Sequence, residues 1–269
     1  MEIDLKELGF EFKHYLEQIS SNKNFVLHDH RKSHEIYLFL DGDAEFLVEG
    51  TRYPLYKNDI IIAQSEEMHC VKHNSFGRYE RIVISLDHSF FIKNNCEAYQ
   101  DIFTNRPLGE NNRIPAEIVE KNGIIELLLR SERYLNDTED GSVAALGTML
   151  ELLYILNHIG IKKEKISSHN EQIKDIILYI NANLKESMSL QEIADTFYMT
   201  KCHLCRIFKK HTGYTVNQYI THKRLSLARE LAGEGMTWTE ASMESGFGNY
   251  SNFYKLFCRA YGHSPQWKE

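Results

Sequence analysis

The last hundred residues carry one local pattern twice, and that repeat limits what the chain can fold into. Ser189-Leu190-Gln191-Glu192 is a capping box, in which the Ser189 oxygen takes the amide three residues on and Glu192 reaches back. Thr237-Trp238-Thr239-Glu240 repeats it 48 positions later. Ile193, Ala194 and Phe197 are the apolar side of the first short helix. Thr200 caps the next helix, whose inward face is Leu204, Ile207 and Phe208, and Gly213 ends it. Asn249 caps the matching helix, with Phe253, Leu256 and Phe257 inward and Gly262 at its end. Phe208 to Phe257 and Gly213 to Gly262 are both 49 positions, so the extra residue falls in the turn at Gly246-Phe247-Gly248. Two short helices joined by a tight turn make a helix-turn-helix. Between the copies, Val216 to Leu231 predicts one longer helix with Tyr219, Ile220, Leu225, Ala228 and Leu231 as core residues. Ahead of them, Ile173, Ile176, Ile177, Ile180 and Leu184 form a helical apolar face.

Upstream the periodicity changes. From about 24 to 87 the chain alternates and turns often, which predicts short strands: Phe25-Val26-Leu27, Ile36 to Leu40, Ala44 to Val48, Arg52 to Leu55, Asp59 to Ala63 and Tyr79 to Leu86. Asp41-Gly42-Asp43 and Glu49-Gly50 supply turns. Closely spaced strands of this kind suggest a sandwich or small barrel. From about 114 to 159 the spacing is helical. Ile118, Ile125, Leu128 and Leu135 make one stripe, and Val143, Leu146, Leu150 and Leu153 another, broken at Asn136 to Gly141. The stripes pack onto the β-region, while Leu127, Leu129, Leu152 and Tyr154 are surplus apolar surface for a second subunit. Residues 160–170 are polar and aperiodic and read as a linker. The expected fold class is therefore α+β and multidomain. A cupin-like β-barrel domain spans 1–112 and a helical hairpin 113–160; after a linker at 161–170, an all-α double helix-turn-helix domain spans 171–269.

Charge supports the division. Residues 170–269 hold 12 Lys/Arg against 10 Asp/Glu, and residues 1–169 hold 19 against 28. A mildly basic part following an acidic one suggests different partners for each, and a net of +2 permits nucleic acid binding without demanding it. A hydrophobic fraction of 42% supplies real cores and excludes a disordered chain. No apolar run approaches the roughly 20 residues of a membrane span. The acidic start Met1-Glu2-Ile3-Asp4 is unlike a signal peptide, so a cytoplasmic location is expected, with no membrane partner. Five scattered Cys do not read as a disulfide framework.

The spaced residues Leu204-x3-Phe208-Lys209-Lys210-x2-Gly213, Tyr219-Ile220-x3-Arg224-Leu225-x2-Ala228, Gly246-Phe247, Phe253-x3-Phe257 and Gly262-x2-Pro265 resemble those of the AraC/XylS regulators. The resemblance covers about a hundred residues. It implies a homodimeric, sequence-specific regulator of transcription that is not an enzyme, with each second helix in a major groove of double-stranded operator DNA. It favours activation, which makes RNA polymerase a candidate partner. Geometry then selects contacts. The first recognition helix turns Lys201, Cys202, Cys205, Arg206 and Lys209 away from its core, and the second turns out Asn249, Tyr250, Ser251, Tyr254, Lys255 and Cys258. Arg206 is the expected base reader, because a guanidinium takes guanine O6 and N7 together. Lys201, Lys209 and Lys210 suit phosphates, which position without specifying. Lys255 stands at the Arg206 position of the second unit. Two such helices reach successive grooves when roughly 34 Å apart. Ala241, Ser242 and Ser245 stand where the family usually has apolar residues, which predicts a looser second core. Cys202-x2-Cys205 has the spacing of a redox or zinc motif, but no second pair follows, so two small residues facing a groove are the preferred reading.

The β-region contains His28-x-His30, Glu35, Gly42 and His69, resembling the cupin metal motif, in which imidazoles and a carboxylate hold Fe, Mn, Ni or Zn. The expected Pro and Gly before the last His are absent from Gln64 to His69. The favoured reading has no cofactor: His28, His30, Glu35, Tyr37, His69 and Arg81 line a pocket for a small polar metabolite such as a sugar. His34 and His73 receive no role. The alternative is a metal-dependent cupin enzyme, or a metal or redox sensor, fused to a DNA-binding domain. In that case His28, His30, Glu35 and His69 hold a divalent ion.

Overall fold

The computed structural model describes residues 2–5, 8–20, 27–30, 32–136, 141–159 and 171–265. The expected linker at 161–170 and the strand residues Phe25 and Val26 lie outside this set. The chain divides into two units. The first holds Met1–Val26, Lys32–Phe46 and Tyr53–Lys165; the second holds Leu27–Arg31, Leu47–Arg52 and Ile166–Glu269.

Among the described residues nine strands form two sheets, which belong to the first unit apart from the hairpin tip 47–52. The larger has the order β1 (Glu2–Leu5), β2 (Phe10–Ile19), β8 (Gly77–Asp87), β3 (Ser33–Asp41), β6 (Ile60–Ala63), β9 (Arg113–Ile114). The smaller has the order β5 (Thr51–Pro54), β4 (Ala44–Val48), β7 (His69–His73). A sandwich or small barrel is expected from the sequence; the strands form two separate sheets that do not close into one barrel. The β4–β5 hairpin begins in the first unit, and its tip, 47–52, counts with the second. Its turn residues Glu49 and Gly50 both have left-handed backbone, φ 43° and 80°, the pattern of a tight two-residue turn matched to strand twist.

Strand alternation gives the large sheet two different faces. Phe10 and Phe12 of β2, Ile36 and Leu38 of β3, Ile60 and Ile62 of β6, and Ile82, Ile84 and Leu86 of β8 point one way into the main core. The short helices α1 (His88–Lys93) and α2 (Asp101–Thr104) add Phe90, Phe91, Ile102 and Phe103 to this core, and α3 (Ala116–Lys121), α4 (Ile124–Asn136) and α5 (Gly141–His158) add Val119, Ile124, Leu127, Leu128, Met149, Leu152, Leu153 and Leu156. Leu127 and Leu152 are thus fully committed to this core and are not free for a second subunit. The second predicted stripe is met in part: Leu153 is buried in this core, Leu146 and Leu150 pack against it partly covered, and Val143 is 68% exposed. Helix α5 is apolar on most sides, so spacing alone does not identify the face that packs.

A buried ion pair pins one end of this unit. Glu67, fully buried, accepts two bonds from Arg106 (2.5 and 2.7 Å), one from the Asn112 amide (2.9 Å), and others from the backbone N–H of Gln64 (2.9 Å) and Gly109 (2.7 Å). Every lone pair of the carboxylate has a use, which is the condition for holding such a charge inside.

The second unit is helical: α6 (Glu171–Ala182), α7 (Leu190–Thr196), α8 (Lys201–Thr212), α9 (Val216–Gly233), α10 (Trp238–Glu244) and α11 (Tyr250–Tyr261). Both expected capping boxes form, Ser189 with Glu192 and Thr237 with Glu240, and a third joins Thr215 to Gln218 at the start of α9. Gly213 and Gly262 cap α8 and α11 with φ 82° and 78°, as expected of glycines after a helix. The second core is not loose. Ala241, Ser242 and Ser245 are fully buried, and each serine hydroxyl donates to a carbonyl three residues back, on Thr239 (2.8 Å) and Ser242 (3.0 Å). Local bonding removes the cost of burying these hydroxyls.

Candidate nucleic-acid interface and sensor face

In α8, Leu204 and Phe208 are buried, which leaves Lys201, Cys202, Arg206 and Lys209 exposed and Cys205 half-buried on the other side. Thr200 fixes where the helix starts by accepting the His203 amide at 3.2 Å. Three basic side chains therefore share one face of a short capped helix. Arg206 Nη2 also contacts His203 Nδ1 at 3.1 Å, one turn back. His203 escaped the sequence reading, although its i−3 spacing from Arg206 was available. An open cavity lined by Gln172, Tyr198, Thr200, Cys202, His203 and Arg206 flanks this end of α8.

In α11, Phe253 and Phe257 are buried, and Asn249, Ser251, Tyr254 and Lys255 are exposed. Tyr250 is half-buried, with its ring 5.6 Å from that of Phe253, so it serves the core as well as the surface. Asn249 accepts the Asn252 amide at 2.8 Å, so its side chain is engaged as the cap.

The first unit carries the second candidate site on the face of the large sheet turned away from the helices. Register places Glu35, Tyr37 and Phe39 of β3 beside Ser85, Val83 and Arg81 of β8, which in turn lie beside Glu11, Lys13 and Tyr15 of β2. Four expected residues, Glu35, Tyr37, His69 and Arg81, are buried in this unit. The Tyr37 and Tyr79 hydroxyls are hydrogen-bonded to each other. Arg81 donates to Glu17 at 2.5 Å and lies over the rings of Tyr15 (4.3 Å) and Tyr79 (5.0 Å). His69 Nδ1 donates to the Glu67 carbonyl at 2.8 Å, and its Nε2 is 3.6 Å from Glu35. The Arg106–Glu67 pair thereby fixes the His69 ring. Phe46 of β4 packs on both His69 (5.5 Å) and Tyr37 (5.1 Å).

Burial raises Tyr79 to about 12 and Tyr37 well above the usual phenol range, so both hydroxyls stay protonated. Burial works against protonating His69, but the Glu35 carboxylate and the Glu67 carbonyl outweigh it and raise its pKa. Burial, then the Arg81 charge, lowers His73. The face thus combines carboxylates, neutral hydroxyls, imidazoles and one cation with aromatic rings.

His28 and His30 belong to the 27–31 segment of the second unit, with ring centroids 4.9 Å apart. Of the four candidate metal ligands, Glu35 and His69 thus lie in the first unit, and His28 and His30 in the second. The sequence reading missed Tyr15, Glu17, Phe46 and Tyr79. Strand β2 was unread, yet its alternation of Phe10 and Phe12 with Glu11 and Lys13 was a period-2 signal.

A helix-turn-helix domain family matches residues 186–267. Transposon Tn10 TetD protein of Escherichia coli is 31% identical over 112 residues, covering 41% of this chain and 81% of TetD. The chain belongs to the AraC/XylS family of transcriptional regulators. The uncharacterized HTH-type transcriptional regulator YfiF of Bacillus subtilis is 24% identical over 273 residues, spanning 98% of this chain and 84% of YfiF. The HTH-type transcriptional activator RhaS of Enterobacter sp. (strain 638) is 20% identical over 239 residues, 88% of this chain and 85% of RhaS. Both likenesses run well beyond the DNA-binding domain. As an AraC/XylS regulator the chain binds double-stranded DNA. No helix among the described residues is long and apolar enough to cross a membrane.

Proposed function

We propose that this AraC/XylS regulator is a cytoplasmic activator, working as a homodimer with RNA polymerase, and that a small polyhydroxylated metabolite controls it from the first unit. The carrying observation is the two-faced large sheet: one side is apolar and covered, and the other gathers Glu35, Tyr37, His69, Tyr79 and Arg81. Hydroxyl, carboxylate and imidazole groups beside Phe46 and Tyr15 suit a sugar, whose hydroxyls need paired donors and acceptors and whose ring stacks on aromatics. Activation is supported by the likeness to RhaS. A second copy is supported by Leu129, Val143 and Tyr154, exposed at 41%, 68% and 52% on α4 and α5.

The test is thermal unfolding of the full chain against a panel of monosaccharides. One sugar should raise the midpoint in the parent and not in Tyr79→Phe or Arg81→Gln. If small carboxylic acids shift it and sugars do not, the ligand class is wrong. The pair Glu35 and His69, 3.6 Å apart within the first unit, supports a second reading, a divalent ion bound through an imidazole and a carboxylate. Metal content near one per chain, lost in His69→Gln, would favour that reading.

A further inference from the structure

Tyr198, at the turn between α7 and α8, holds a left-handed backbone, φ 52°, in which a Cβ crowds the neighbouring carbonyl. Its side chain is 99% exposed, so the phenol packs on nothing in the protein. The second helix-turn-helix meets the same turn with Gly246, φ 91°, where a Cβ would lie 2.7 Å from the Leu184 carbonyl oxygen. Protein therefore closes the side-chain direction in the second copy and leaves it open in the first. Packing does not account for an aromatic residue here, and strain of this kind collects where a residue meets a ligand.

The phenol borders the cavity at the start of α8, about 570 Å³ in volume, with Gln172 of α6, His203 and Arg206 around it. All four residues belong to the second unit. They offer a hydroxyl, a carboxamide, an imidazole and a guanidinium, and no carboxylate lines the cavity. Such a set can donate several hydrogen bonds to an anion. The cavity is open, whereas a site for a free metabolite encloses most of its ligand. A polyanion lying across the surface fits it better. Arg206 also belongs to the exposed basic face of α8, so a DNA strand on that face passes the cavity.

We propose that Tyr198 is a DNA-backbone contact: its hydroxyl donates to a phosphate oxygen of the strand bordering the groove that α8 enters, and so sets how Arg206 reaches the bases. The contact belongs to the first helix-turn-helix alone, because Gly246 has no side chain to make it. A donor at a phosphate positions the protein without reading sequence. This rests on α8 facing DNA and adds a residue, outside the helix itself, to that face.

The test compares the full chain with Tyr198→Phe and Tyr198→Gly on one selected and one random duplex across salt concentrations. Tyr198→Phe should weaken binding to both duplexes by about tenfold, the worth of one hydrogen bond to a charged acceptor. The slope of log K against log salt should stay at the parent's value, because a neutral hydroxyl releases no counterion. Tyr198→Gly, which suits the turn, should lose at least as much. Of the phosphates whose ethylation weakens the parent, one should cease to matter in Tyr198→Phe. Parental affinity of Tyr198→Phe on both duplexes, or a loss confined to the selected one, overturns the contact. Arg206→Ala, run alongside, separates two failures. If it loses the selected duplex while Tyr198→Phe binds as the parent does, α8 faces DNA and the turn does not touch it. If neither variant weakens binding, α8 itself is not the interface.

Discussion

Tyr198 and Gly246 occupy the same turn position of the two helix-turn-helix units, both with left-handed backbone, at φ 52° and 91°. The match extends to the bonds around them. Tyr198 N–H donates to Asp195 O and Gly246 N–H to Met243 O, and the next amides go to Ala194 O and Ser242 O. The turn demands this conformation, and only one copy meets it with glycine. Tyr198 is 99% exposed, so its side chain adds nothing that offsets the strain. At Gly246 a Cβ would lie 2.7 Å from the Leu184 carbonyl oxygen and 2.9 Å from Arg224 Nε. Tyr198→Gly should therefore leave the unfolding free energy within about 1 kcal/mol of the parent, while Gly246→Ala should cost about 1–3 kcal/mol. Urea unfolding of both variants checks this, and the reverse order would show that the copies do not share one turn.

His34 gives the first unit an acid weakness. The ring is buried, stacked 4.5 Å from Phe103, and near His88, Gln100, Arg106 and Glu67. Burial, then the His88 charge, lowers its pKa from 6.5 to about 4. The unfolded chain takes up this proton first, so the stabilisation is complete above pH 6.5 and is lost as pH falls towards 4. Between pH 7 and pH 5 it should amount to about 2 kcal/mol. Denaturant unfolding at the two pH values measures it, and His34→Gln should lose that part of the dependence.

Removing Arg106 should be more damaging than its place in a loop suggests. Arg106→Met leaves the fully buried Glu67 carboxylate without its counter-charge, at a cost of about 3–5 kcal/mol. Calorimetry on the variant would show a Tm lowered by many degrees, and a near-parental Tm would mean the pair is solvated in solution.

Lys209 is exposed on the same side of α8 as Arg206 and is expected to hold a phosphate. Lys209→Ala should weaken binding about equally on all sequences and reduce the slope of log K against log salt by about 1. Titration of one selected and one random duplex across salt concentrations separates this from a change in specificity.

The two halves were unequally legible. Caps and glycines in the second unit act within four residues of themselves, so Ser189, Thr200, Thr237, Asn249, Gly213 and Gly262 could all be placed from sequence. The sensor face depends on neighbours far apart in the chain. Arg81 and Glu17 are 64 positions apart, and Tyr37 and Tyr79 are 42 apart. Their pairing follows from a register that no local pattern specifies. Strand β7 begins at His69, which could be read as pocket lining or a metal ligand but not as a strand start, because five residues give too short an alternation to see. Helix α5 was only partly legible for the opposite reason: it has more apolar positions than its packed face uses, so Leu153 was placed inward correctly and Val143 was not.

An AraC/XylS regulator that reads DNA sequence should do so through its recognition helices. The most direct test measures binding of genomic fragments by the full chain and by Arg206→Ala, at one stated salt concentration. The parent should select specific fragments, and the variant should lose about 1–3 kcal/mol on them and relax one base position while keeping its non-specific affinity. Equal affinity of parent and variant for every selected fragment, or no fragment selected at all, would contradict it.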